Sequence, residues 1–174
     1  FGSDHHLANE RISQGDIVTT VLKCARGETI TLTLDTTLPR AFYSRGLCVR
    51  GTKGMYDNDT GTIFLDGMKE GIKGNEEDLR IDYEHPLWRN YEVRGGHGGM
   101  DWLVFSAFFD SVKKGTNTPI DAYDAATWMS ITALSEQSIS LGGIPLPIPD
   151  FTGGKWTNRE SAVNSKYSLN DVFE

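Results

Sequence analysis

The sequence predicts an α+β domain, a mostly antiparallel open β-sheet with helices packed on one face. Three observations carry the prediction. Up to about residue 65 the chain shows period-2 apolar alternation broken by short turns. Two long apolar helical segments follow, one from about Asp101 to Lys114 and one between Pro119 and Gly142. Strands first and helices afterwards is the α+β order, not the alternation of a parallel α/β sheet.

Bulk composition sets the limits. The chain has 174 residues, enough for one domain with a core, and is 38% hydrophobic and 24% charged. Its formal charge is −7, and its basic residues are scattered, which excludes a nucleic-acid surface built from clustered Lys and Arg. No apolar stretch approaches the roughly 20 residues of a membrane span, and no signal peptide is legible. Cys24 and Cys48 are the only cysteines, with no CxxC pair. They read as two buried free thiols, not as a disulfide or a zinc site.

Residues 1–14 are polar and read as a linker. Within them Asp4-His5-His6 reads as solvated, because adjacent residues rarely converge on one ion. Residues 15–157 form the domain. Ile17 to Cys24 is a β-branched strand with Val18, Leu22 and Cys24 on one face. Ile30, Leu32 and Leu34 then alternate with Thr31, Thr33 and Asp35, the pattern of a half-buried strand. Arg26-Gly27 is the hairpin turn between them. Leu47 to Arg50, Lys53 to Tyr56 and Thr62 to Leu65 give three more strands, the last two joined by the turn Asn58-Asp59-Thr60-Gly61. Residues 66–94 read as a long charged loop carrying Tyr83, His85-Pro86, Trp88 and Tyr91. Such aromatics either stack on a sugar ring or anchor the loop to the body, and anchoring is the simpler reading.

The first helix ends with Lys113-Lys114 and the stop Gly115. Its apolar residues Trp102, Leu103, Val104, Phe105, Phe108, Phe109 and Val112 cover more than one stripe, which predicts burial on several sides. The second begins with Asp121 as N-cap and Asp124 in the first turn. It carries Trp128, Met129, Ile131 and Leu134 and ends near Gly142-Gly143. Pro145, Pro147 and Pro149 then force an extended edge segment. Residues 158–174 form a polar tail.

Gly95-Gly96-His97-Gly98-Gly99-Met100-Asp101 holds the strongest candidate for chemistry. Glycines cost conformational entropy and pack nothing, so four of them around one imidazole point to a functional His97. Asp101 reads as a cap of the helix that follows. The second candidate is Leu38 to Gly46, where Tyr43 lies between Arg40 and Arg45 and a cation beside the phenol makes it a better acid or base. From the residues alone, an exposed turn with solvated arginines explains that segment better. Asp121 and Asp124 resemble the paired carboxylates of a glycosidase, but capping explains them better. Glu136 reads as a surface residue. No G-x-G-x-x-G follows a strand and opens a helix, and neither a P-loop nor G-x-S-x-G is present.

Several segments in one order resemble a known family. They are Leu38 to Gly46, Arg50-Gly51-Thr52-Lys53-Gly54, His85-Pro86-Leu87-Trp88, Gly95 to Asp101, Asp121 to Trp128, Leu134-Ser135-Glu136 and Ile148 to Thr152. Together they are similar to the C-terminal domain of Gfo/Idh/MocA-type oxidoreductases, closest to the glycoside hydrolase family 109 branch of α-N-acetylgalactosaminidases. The likeness runs from about Gly15 to Trp156. It implies the substrate-binding and oligomerisation half of a two-domain NAD-dependent sugar oxidoreductase or glycosidase, whose N-terminal Rossmann domain, absent from this chain, binds NAD. It further implies transient oxidation of a sugar hydroxyl, elimination, hydration and re-reduction, with a carbohydrate substrate and a homo-oligomer formed through the sheet face. This chain alone would then be inactive. By motif, the catalytic residues are His97 and Tyr43, with Arg45 a weaker third that binds substrate; Trp88 and Tyr83, from the aromatic segment and not from the motif, are the other substrate-binding candidates. The family reads Pro-Arg-Pro-Tyr-Ser-Arg where this chain reads Pro39-Arg40-Ala41-Phe42-Tyr43-Ser44-Arg45. That one-residue difference leaves open whether Phe42 or Tyr43 faces the pocket. The alternative reading is a stand-alone carbohydrate-binding or dimerisation module without catalysis.

Overall fold

A computed structural model of the chain describes residues 2–11, 15–69, 72–89, 91–158 and 166–168. Most of the expected polar tail lies outside them. The chain divides into two compact units, Phe1–Arg45 and Gly46–Glu174.

The first unit is built on one hairpin. β1 (Ile17–Lys23) pairs antiparallel with β2 (Thr29–Asp35), from Ile17 opposite Asp35 to Lys23 opposite Thr29. Cys24 N–H donates to Glu28 O at 2.8 Å, closing the turn around Gly27 at φ +102°. The register stacks Val18 on Leu34 and Leu22 on Ile30, so alternation puts the apolar residues on one face. That face is open: Ile30, Leu32 and Leu34 are each more than 40% exposed. After β2, Arg40 pairs with the Asp35 carboxylate at 3.4 Å.

The second unit begins with a three-stranded antiparallel meander, β3 (Cys48–Gly51), β4 (Gly54–Asp57) and β5 (Thr62–Leu65). Each strand lies within one residue of its sequence expectation. The Asp57 carboxylate accepts from Asp59 N–H at 3.0 Å and Thr60 N–H at 3.2 Å, which shapes the β4–β5 turn. All these pairings are antiparallel, and helices follow, so the α+β class holds. The strands are divided between two sheets.

Residues 66–94 are not a plain loop. They hold α1 (Glu76–Tyr83) and the short α2 (Pro86–Arg89). No apolar stripe announces α1, because Glu76, Glu77, Asp78, Arg80 and Asp82 fill most of its positions. Its acidic first turn suits the helix dipole. A tertiary tie fixes its start. The buried Asn75 side chain accepts from Ile63 N–H at 2.8 Å and donates to Ile63 O at 2.9 Å, like an extra strand residue on β5. Pro86 opens α2, where its missing N–H costs nothing.

The two long helices fall where expected, α3 at Met100–Lys114 and α4 at Ala122–Ser140. Gly115 ends α3 at φ +65°. Asp121 and Asp124 form a reciprocal capping box at the start of α4, and Glu136 is exposed, so capping is what these acids do. Burial corrects two expectations. Trp102, Val104, Phe105, Phe108, Phe109 and Val112 of α3 are each 50–66% exposed, not buried on several sides. Cys24 is half-buried and Cys48, on β3, is exposed, although both are free thiols as expected. No large apolar side chain among the described residues is fully buried; the buried side chains are Thr62, Asn75, Ser111 and Ser168. Apolar periodicity reports which face seeks cover, and these residues do not supply that cover.

Candidate functional site

The glycine loop makes a tight left-handed turn into α3. His97, Gly98 and Gly99 have φ of +51°, +65° and +91°. His97 is the only non-glycine residue with positive φ among the described residues, a conformation that costs an L-residue about 1 kcal/mol. Gly99 is buried at the start of the helix. A Cβ there would lie 2.8 Å from Tyr91 Cε1 and 3.2 Å from Val93 Cγ1. Tyr91 Oη donates to Gly99 O at 2.7 Å. Behind Tyr91 stands Trp88, edge to face, with ring centroids 5.3 Å apart. These aromatics of the 83–91 segment therefore brace the loop.

The turn brings His97 and Asp101 together. His97 Nδ1 lies 2.9 Å from Asp101 Oδ2 and 3.0 Å from Oδ1. Asp101 is not the helix cap the sequence suggests: Gly99 occupies that position and makes no side-chain cap bond. Both partners stay accessible, the His97 side chain at 77% and that of Asp101 at 47%. Gly96 leaves room for the carboxylate, since a Cβ there would lie 2.7 Å from Asp101 Oδ2. Spacing does not predict the pair: residues four apart meet across an α-helical turn, but the His97 turn is left-handed and no periodic rule covers it.

In the first unit, Arg45 Nε donates to Tyr43 Oη at 3.3 Å. That hydrogen bond holds the Arg45 guanidinium charged even above its ordinary range. Tyr43 is 79% exposed and its neighbour Phe42 66%, so neither is committed to packing. Tyr43 and Arg45 belong to the first unit and His97 to the second.

Tyr83 stands elsewhere in the second unit. It lines a cavity of about 570 Å³ between β3–β5 and α1, with Val49, Met55, Ile63 and Leu65. Glu76 and Arg80 also line it. Tyr56 Oη donates to Glu76 Oε1 at 3.0 Å, and burial together with that bond pushes the Tyr56 hydroxyl up from its usual range. Sequence reading passed over Tyr56, Asn75 and Glu76, whose roles come from contacts between segments.

No group of three metal-ligating side chains converges among the described residues. Nor do these residues fit a dinucleotide. Every strand pair is antiparallel, and the β5–α1 connection ends in Asn75, whose side chain is bound to Ile63. The dinucleotide cradle is a glycine turn between a strand and a helix, and the glycine turn that does open α3 follows residues 91–96, which form no strand.

Comparison with known proteins agrees with the residue pattern. The family model described as "Glycosyl hydrolase 109, C-terminal domain" matches residues 1–158. An alpha-N-acetylgalactosaminidase of Tannerella forsythia is 40% identical over 165 residues, covering 92% of this chain and 35% of the relative. A glycosyl hydrolase family 109 protein of Stenotrophomonas maltophilia is 44% identical over 172 residues, covering 95% and 38%. A third, from Parabacteroides distasonis, is 39% identical over 163 residues, covering 91% and 35%. The chain thus spans little more than a third of the length of these relatives. It belongs to the glycosyl hydrolase 109 family, as that family's C-terminal domain.

Proposed function

We propose that this chain is the substrate-binding part of a longer glycosidase acting on an α-N-acetylgalactosaminide. Family membership over residues 1–158 carries this reading, and the name of the Tannerella forsythia relative supplies the sugar. In it His97 moves a proton at the sugar. An exposed imidazole held on a strained turn suits that work, because packing does not require it there. Tyr43, charge-assisted by Arg45, offers its hydroxyl to a sugar oxygen. Within the second unit, Trp88, beside the His97 loop, is a further candidate for sugar contact, and Tyr83 would serve only through the separate cavity that it lines.

NAD, on this reading, is held by an N-terminal Rossmann domain outside this chain and supplies reversible hydride chemistry, by transient oxidation and re-reduction. The open apolar surfaces of the hairpin and of α3 support cover by that domain and by a second copy of the protein.

The test is aryl α-N-acetylgalactosaminide hydrolysis by the longer protein that carries this chain, with and without added NAD. Hydrolysis that depends on NAD and falls about 10²-fold or more in His97→Ala is expected. Full activity in His97→Ala would remove His97 from the chemistry. Saturable sugar binding without turnover would leave a binding module instead.

A further inference from the structure

The His97–Asp101 contact has a chemical consequence beyond pairing two charges. An imidazole that donates from Nδ1 to a carboxylate carries its lone pair on Nε2. Asp101 presents both oxygens to the same nitrogen, at 2.9 and 3.0 Å. We propose that Asp101 is a positioning residue which fixes His97 as the Nδ1–H tautomer, leaving Nε2 as the nitrogen that accepts a proton from the substrate. The proposal deepens the proton-transfer reading of His97 and rests on it.

Three features of the chain serve this one contact. His97 takes φ +51°, a left-handed conformation in which its ring meets Asp101 of the helix that follows. Gly96 keeps the space in which the carboxylate lies, at 2.7 Å from where a Cβ would be. Gly96 itself has φ −74° and ψ 171°, open to any residue, so backbone freedom is not what requires a glycine there. The lack of a side chain is. Tyr91, through Gly99, holds the turn from beneath. A surface ion pair needs none of these, and exposed pairs of this kind are worth little to stability. Such an arrangement acts as a second residue does in a catalytic triad, by setting tautomer and ring orientation.

Tautomer and turnover are measured separately. The protein that carries this chain is labelled with 15N-histidine, and the His97 signals are assigned with His97→Gln. Above the imidazole titration, the two-bond 15N–1H pattern is expected to report Nδ1–H in the wild type. Asp101→Ala is expected to shift it toward the Nε2–H form that an unconstrained imidazole prefers. Gly96→Ala is expected to give the same shift by displacing the carboxylate, with the turn otherwise intact, and it serves where Asp101→Ala fails to fold. Asp101→Asn keeps an acceptor oxygen and is expected to restore part of the signature. Turnover is expected to fall about tenfold or more in kcat, with KM little changed, in both disrupting variants. A wild type in the Nε2–H form, or a tautomer indifferent to Asp101 and Gly96, would overturn the proposal. So would a shifted tautomer with unchanged kcat while His97→Ala is inactive. If His97→Ala is itself active, the proton-transfer role of His97 fails while the tautomer assignment stands.

Discussion

The loop around His97 and the connection around Tyr43 hold their functional groups in opposite ways. His97 stands on a left-handed turn with a buried glycine, braced by the Tyr91 hydroxyl at 2.7 Å and backed by Trp88. Tyr43 lies in an irregular segment, 79% exposed, steadied by one 3.3 Å hydrogen bond from Arg45. The first is preorganised by packing beneath an exposed group. The second leaves its orientation to whatever binds. Preorganised groups carry strain that surrounding structure must offset, whereas loosely held ones lose entropy when ligand arrives.

Substitutions can break or sharpen that contrast. The largest effect is expected at Gly99→Ala, where a Cβ meets Tyr91 at 2.8 Å on a residue at φ +91°. Strain and overlap together should cost about 2–4 kcal/mol, measured by urea unfolding. A cost below about 1 kcal/mol would show that the turn is not braced as described. Next is Tyr91→Phe, which leaves Gly99 O without its hydroxyl donor. It should cost about 1–2 kcal/mol in the same assay and reduce amide exchange protection at the start of α3. His97→Gly should move the other way. Glycine relieves φ +51°, so stability should rise by about 0.5–1 kcal/mol while activity is lost. A destabilised His97→Gly would mean that the imidazole packs and is not merely presented. The smallest effect is expected at Tyr43→Phe, whose urea midpoint should match that of the wild type, because Tyr43 and Arg45 are both exposed. Its signature should be a raised KM for the glycoside.

Much of the framework could be read from residues close in sequence. Alternation of Ile30, Leu32 and Leu34 with threonines gave β2, and Arg26-Gly27 its turn. Asp121 and Asp124 gave the start of α4 to the residue, and Gly115 the end of α3. Each is a local rule, decided within a turn or a strand of the residue concerned. Helix α1 escaped, since its support is Asn75 bonded across twelve residues to Ile63, and its own sequence is mostly charged. Within the candidate site, His97 was legible from its four glycines. Its partner was not, because Asp101 at the start of a helix looks like a cap until the left-handed turn is built.

The sequence by itself determined the five strands and two long helices in order, the turn of the first hairpin, the end of α3 at Gly115, the N-cap of α4 at Asp121, and the family. All follow from local periodicity, from turn chemistry or from motifs in series. Tertiary structure alone decided that Asp101 meets His97, that Tyr91 braces Gly99, and that α3 keeps its apolar side chains open. These depend on the path of the backbone through three consecutive positive-φ residues and on contacts between distant segments. Neither is encoded in the period of a pattern; both are settled when the chain closes on itself.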